Sequence, residues 1–372
     1  MKRLLIGLMV VIFVVSVGFM GIGCKQEATE EAAPVEEAAP VEEEAAEAVT
    51  LYNLSPDNIP SDWQLPESIG HVTNYLVHEW YQNLTKGEKW RADEWGIEFS
   101  INDANLDLQK SLAALDDYIA KGTKVIVFTP VNEEASEPAL LSAGEKGALI
   151  IGEASPAKGM ITLVSIDDYA AGYKTGVAAG QWLADNFGDK DILILDISLK
   201  VLPVCLDRSA GFLAGVQSII LDADSVQVDG QGLKDEAIKV AANAITANPG
   251  INVIFGINDD SALGGLQSWR AAGLSEEDVL VVGFGLEGKA GKDAMMEGGP
   301  YKFSAAMFPE YQGKLLIDAG IIAFNGGELS EHTIAPSLAM SKELLPDYYT
   351  LEGGNWMPNF DNMGKISTEG EK

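Results

Sequence analysis

Cysteine is almost absent: the 372 residues hold two, Cys24 and Cys205. Cys24 belongs to the leader discussed below, which leaves Cys205 alone and rules out a disulfide framework for the body. Cys205 lies in Val-Leu-Pro-Val-Cys-Leu with no neighbouring histidine, and it reads as a buried small apolar residue, not a nucleophile. The three histidines, His71, His78 and His332, lack the spacing to Cys, Asp or Glu that a structural zinc site requires. Positive charge is also short, with 25 Lys and Arg against 56 Asp and Glu and a net charge of −31. Taking away the −8 of residues 25–50 and the +2 of Lys2 and Arg3 leaves about −25 on the body. That acidity excludes nucleic acid and anionic lipid as binding partners. Neither a Walker-type phosphate loop nor a Gly-x-Ser-x-Gly elbow occurs. No metal or other cofactor is expected.

What is present begins with Lys2 and Arg3, an apolar run from Leu4 to Met20, and Gly21-Ile22-Gly23-Cys24. A basic start, an apolar middle and small residues before a cut site describe a secretory signal. The stretch resembles a bacterial lipobox, which implies cleavage before Cys24 and a lipid on its thiol, although Gly21 stands where lipoboxes carry leucine. An uncleaved membrane anchor is the alternative. Either way Lys2 and Arg3 hold the N-terminus inside and the body lies outside the cytoplasm. Residues 24–50 follow as an Ala, Glu, Pro and Val tether in which Ala-Pro-Val-Glu-Glu occurs twice. Such a segment has too little apolar bulk to offset its ordering entropy, and its like charges keep it extended.

From Leu51 onward, short β-branched runs alternate with segments of helical spacing. The expected strands are Ile69–Thr73, Ile97–Ile101, Val125–Phe128, Ala148–Ile151 and Ile161–Ile166, then Ile192–Leu195, Val226–Val228, Val253–Phe255, Val279–Val282 and Phe303–Ala306. Leu108, Leu112, Leu115 and Ile119 share one helical face, as do Ile238, Ala241, Ala242 and Ile245. Strands alternating with amphipathic helices mean parallel sheets covered on both faces. Ten strands suit two sheets of five, so the expected fold is α/β with two doubly wound lobes. Ligands of such sheets bind beyond the C-terminal strand ends. That points to Thr129-Pro130, Glu153, Asp167-Asp168, Asn258-Asp259 and Gly285.

Several phrases now resemble the ribose-type periplasmic binding proteins of type I fold, which are related to the effector cores of LacI-type repressors. They are Gly122–Pro130, Asp168 through Gly180, Arg208-Ser209-Ala210-Gly211-Phe212, Ile254 through Gly264, and Val281-Val282-Gly283-Phe284. Export disfavours the repressor branch. The resemblance implies three chain crossings between lobes. Lobe one is then 68–166 plus 308–333 and lobe two 167–307 plus 334–345, with an extension at 51–67 and a tail at 346–372. It also implies hinge closure on a small ligand. It places aromatic residues after the first strand, matched by His78, Trp80 and Tyr81, whose rings suit the C–H face of a pyranose. Arg208 matches a donor to ligand hydroxyls, and Asn258 matches an amide able to donate and accept. Glu153 stands where the family has an acceptor aspartate. Asp168 sits at the first crossing, where it would also make a good helix N-cap.

The departures are Ala154 in place of an arginine, Gly285 in place of an aspartate, Met307 in place of a glutamine, and no second-lobe aromatic at Asp229–Gly232. They point away from ribose itself. The expected function is a monomeric, lipid-anchored solute-binding protein that passes a sugar or polyol to an ABC permease. A ligand sensor for chemotaxis or a kinase, a carbohydrate-active enzyme using paired carboxylates and an adhesin are the competing readings.

Overall fold

The computed structural model describes residues 49–188 and 190–368; the leader, Cys24 and the tether up to residue 48 lie outside the described residues. Among those residues no helix is long and apolar enough to cross a membrane.

The first half of the body runs β1 (Ser68–Thr73), α1 (Glu79–Trp95), β2 (Glu98–Asp103), α2 (Leu108–Lys121), β3 (Val125–Phe128), α3 (Glu133–Glu145), β4 (Leu149–Glu153) and β5 (Thr162–Ser165). The second runs α4 (Asp168–Phe187), β6 (Leu193–Ser198), α5 (Pro203–Gln217), β7 (Asp224–Asp229), α6 (Lys234–Ala247), β8 (Ile251–Gly256), α7 (Asp259–Ala271), β9 (Leu280–Gly285), α8 (Lys289–Glu297) and β10 (Tyr301–Ala306). The chain ends with α9 (Pro309–Phe324), β11 (His332–Ile334), β12 (Leu338–Ser341), α10 (Leu345–Tyr348), the hairpin β13 (Tyr349–Glu352) and β14 (Asn355–Pro358), and α11 (Phe360–Met363).

Among the described residues these strands form two six-stranded sheets, ordered β11-β5-β4-β3-β1-β2 and β12-β10-β9-β8-β6-β7. Within these two sheets all pairs are parallel except β10 with β12, and β13 pairs with β14 antiparallel on its own. The two doubly wound lobes are therefore six-stranded, not five-stranded. The extra strands, β11 and β12, are three and four residues long. The chain passes from one sheet to the other after β5, after β10 and between β11 and β12. Strands β3, β8 and β9 are buried along their whole length, because helices cover both faces. The buried face of α2 is Ser111, Ala114, Leu115 and Tyr118, so of the expected stripe only Leu115 is fully buried, and Leu108, Leu112 and Ile119 lie at its edge.

Two helix contacts position the crossings. Glycines let α4 and α5 pack backbone to backbone: a Cβ on Gly176 would fall 2.2 Å from the Phe212 carbonyl, and one on Gly211 would fall 2.2 Å from that of Tyr169. In the other lobe α1 and α9 meet likewise, where a Cβ on Gly87 would lie 2.0 Å from the Glu310 carbonyl.

The 51–67 extension packs on the first lobe. Leu51 and Leu54 are buried, and the Tyr52 hydroxyl donates to the Ile334 carbonyl at 2.9 Å. Arg91 of α1 reaches Asp318 of α9 through Nε at 2.7 Å and Nη2 at 3.0 Å. The C-terminal tail spans both halves. Phe360 packs on Trp90 and Tyr311, while the Trp356 indole donates to Asp293 of α8 at 3.0 Å. Between them Tyr349 donates to Glu310 at 3.1 Å, stacks on Phe308, and lies 4.3 Å beneath the Lys292 ammonium.

Candidate ligand-binding cleft

In both sheets the order reverses beside the first strand of the lobe, at β1/β3 and at β6/β8. Residues at the C-terminal ends of those strands face a common cleft, where open α/β sheets bind ligands. The first lobe presents Glu153, the last residue of β4 and fully buried. Its Oε2 accepts from the Thr129 hydroxyl at 2.8 Å, and Oε1 accepts from the Gln312 amide at 3.1 Å and the Trp80 indole at 3.4 Å. Thr129 is bonded in turn to His71 Nε2 at 2.9 Å, and His71 Nδ1 meets Glu88 of α1 at 2.8 Å. Burial pushes the Glu153 carboxyl up to about 7, against the opposing pull of His71 and of the Thr129 and Trp80 hydrogen bonds. A polar chain thus runs from the core to the cleft floor, with Glu153 at its outer end.

The second lobe presents a cation. Arg208 of α5 donates through Nε to Asp168 at 2.7 Å and through Nη1 to the Ile257 carbonyl at 3.0 Å. Its guanidinium carbon stands 4.5 Å over the Phe284 ring, within cation–π range. The meeting of Asp168 and Arg208 follows from the close packing of α4 on α5. Burial raises the Asp168 carboxyl and the Arg208 charge opposes that rise. Asp167, not Asp168, caps α4, its carboxylate accepting from the Ala170 amide at 2.8 Å. Asp168 is thereby left for the arginine.

The lobes touch across the cleft. Asn83 of α1 donates to the Glu287 carbonyl at 2.5 Å. Tyr81 is half-buried within electrostatic reach of both Glu153 and Arg208, and burial raises its phenol above the ordinary value. His78 caps α1, accepting from the Trp80 amide at 3.2 Å, and meets Tyr81 edge-on with ring centres 6.5 Å apart. Asn258 caps α7, its oxygen accepting from the Ser261 amide at 2.8 Å while its nitrogen donates to the Gly232 carbonyl at 2.9 Å. Both ends of that amide serve the local backbone. Gly285 has φ 103°, and its carbonyl accepts from the amide of buried Met307 at 3.0 Å. Trp80 and Glu153 thus meet directly, as do Asp168 and Arg208. His78 and Asn258 line one cavity of about 240 Å³, to which Glu79, Asp259, Asp260 and Glu287 also contribute.

Sequence reasoning passed over His71, Glu88 and Gln312 as functional groups, while Thr129 was expected at a strand end facing the ligand. Glu88 carried a signal: it follows Leu84 by four residues and precedes Ala92 by four, so it lies on the buried stripe of α1. A carboxylate there needs a buried partner.

A periplasmic binding protein domain model matches residues 69–328. The ribose import binding protein of Bacillus subtilis (strain 168) is 26% identical over 292 residues, covering 74% of this chain and 90% of that protein. An ABC transporter solute-binding protein from Mycobacterium smegmatis with bound glycerol superposes with a TM-score of 0.67 at 24% identity, covering 80% of this chain and 100% of that one. A periplasmic solute-binding protein from Actinobacillus succinogenes 130z with bound D-allose does so with a TM-score of 0.67 at 22% identity, covering 76% and 99%. From the family match, and from two doubly wound lobes joined by three crossings of the chain, this chain belongs to the periplasmic binding proteins, in their ribose-type, type I form.

Proposed function

We propose that the chain is the extracytoplasmic receptor of an ABC importer and closes its lobes on a sugar or polyol. The observation that carries this reading is that Tyr81 stands within electrostatic reach of a buried carboxyl on one side, Glu153, and a guanidinium on the other, Arg208, with Trp80 bonded to Glu153. Acceptor, donor and aromatic face are the three contacts a polyhydroxylated ring uses. Arg208 spends two of its five N–H donors on Asp168 and Ile257, which leaves others for hydroxyls. The similar proteins with ribose, glycerol and D-allose in their names support hydroxyl-rich ligands. Exposed Val77 and Leu106 on one rim, with Val201, Leu202 and Leu233 on the other, suit docking to a permease. Cys24 supplies the lipid anchor in this reading, and the body acts as a monomer.

Turnover is no part of this reading, because the matched domain and relative are binding proteins. Glu153 and Asp168, the pair an enzyme would need, are held by Thr129, Gln312 and Trp80 and by Arg208. A thermal-shift screen of the purified chain against sugars, polyols, nucleosides and amino acids tests the reading. A ligand at 100 times its Kd adds about 2.7 kcal/mol. Stabilisation by nucleosides or amino acids alone overturns the ligand class.

A further inference from the structure

One cavity, whose His78 and Glu287 lie within electrostatic reach of Arg208, has a different chemistry. Its walls come from the start of α1 (Val77, His78, Glu79), the start of α7 (Asn258, Asp259, Asp260) and the turn from β9 into α8 (Glu287, Gly288). Four carboxylates line about 240 Å³. Two of them, Asp259 and Glu287, are only 6% and 8% exposed. Each keeps one oxygen without a hydrogen-bond partner, Oδ2 of Asp259 and Oε2 of Glu287. A buried carboxylate oxygen without a donor is costly and calls for one. The nearby cations are already engaged. Lys292 Nζ donates to the carbonyls of Leu286 at 2.6 Å and Glu287 at 3.2 Å, and Arg208 is held by Asp168 and Ile257. Among the described residues no cluster of His, Cys, Asp and Glu suits a metal ion.

We propose that this cavity is a subsite for a primary ammonium group, so that the preferred ligand is an amino sugar or amino polyol. The inference rests on the binding reading above and narrows its ligand class. An ammonium carries three donors and no acceptor, so one lodged in this cavity brings the donors that Asp259 and Glu287 lack and a charge that offsets theirs. Glu79 and Asp260 at the rim add negative potential that draws a cation inward. A neutral hydroxyl supplies one donor and no charge.

The groups facing the pair are Glu79 and His78 on α1, Asp260 on α7, Lys292 on α8, Arg208 on α5, and Tyr301 and Ser304 on β10. The two β10 hydroxyls donate to Asp259 Oδ1 at 2.5 and 2.8 Å. Burial and mutual repulsion push Asp259 up to about 8, and burial pushes Glu287 up to about 7. The empty site therefore holds protons near neutrality, and an entering ammonium expels them.

The experiment is titration calorimetry on the full chain with matched pairs: sorbitol and 1-amino-1-deoxysorbitol, glucose and glucosamine, galactose and galactosamine. In at least one pair the amino compound binds at least about tenfold more tightly, the scale of a charge-assisted hydrogen bond in a buried site. At pH 6.5 its binding releases protons, read as a heat that changes with the ionisation enthalpy of the buffer. Glu287→Gln and Asp259→Asn each remove most of the preference. Equal or tighter binding of the neutral member in every pair overturns the subsite, as does tight amino binding without proton release, a readout that needs no variant. Neutral binding without an amino preference sinks the subsite alone. No binding by any of these or by the wider screen sinks the subsite and the sugar or polyol reading together.

Discussion

The two lobes repeat one construction and arm it with opposite charge. In each, a crossing helix packs through glycine against the helix that follows the lobe's first strand, α9 on α1 and α4 on α5. In the first lobe a polar chain from Glu88 through His71 and Thr129 ends in a buried acid, Glu153. In the second lobe the close helix pair holds a guanidinium against Asp168 and over Phe284. The acid is held by hydrogen bonds within a desolvated core, so its proton affinity is shifted. The base is held by a partner of opposite charge, so it stays ionised. A scaffold thus sets where a functional group stands, while the neighbours set its charge.

The comparison breaks most severely at Arg208. Arg208→Ala leaves Asp168 half-buried without its ion-pair partner, and removing one member of such a pair costs about 3 kcal/mol of stability. Urea unfolding reads that loss, and ligand titration reads a fall in affinity of more than about 1.5 kcal/mol. Unchanged affinity would take Arg208 out of the site. A medium effect separates the lobes by pH. The folded chain holds the Glu153 proton up to about 7, above the ordinary carboxyl value of 4.5. The stability this proton contributes is complete below about pH 4.5 and is lost as pH rises through about 7. Glu153→Gln, which never ionises, therefore loses roughly 2 kcal/mol less than the parent between pH 5 and pH 8. Parallel curves would show that the first lobe does not tune this acid. The smallest effect is expected for Trp80→Phe, which keeps a ring but removes a long hydrogen bond to Glu153, at a cost near 0.5 kcal/mol. A loss of ligand affinity beyond about 1.5 kcal/mol would mean that the indole contacts the ligand itself.

Alternating apolar runs made the ten main strands legible, but not their ends. The expected strands stop at Ile151, Leu195 and Val282, whereas β4, β6 and β9 continue to Glu153, Ser198 and Gly285. Apart from Ile197 and Phe284 the missed residues are polar or glycine, so a reading based on apolar content stops short of the strand ends that carry Glu153 and Gly285. β11 and β12 were too short to show a period. At the site, Arg208 and Asp168 were legible singly and not as a pair. Their meeting depends on how closely α4 approaches α5, a three-dimensional consequence of Gly172, Gly176, Gly211 and Gly215. Asn258 showed its residue type but not its commitment to Ser261 and Gly232.

The tail that crosses between the halves has a mechanical consequence. Trp356 is bonded to Asp293 on α8 and Phe360 is seated on Trp90 of α1, four residues further along the chain. Four residues reach about 14 Å when fully drawn out. With both rings seated, the tail is a leash that limits how far α1 and α8 can part, and any wider gape must first pull one aromatic from its socket.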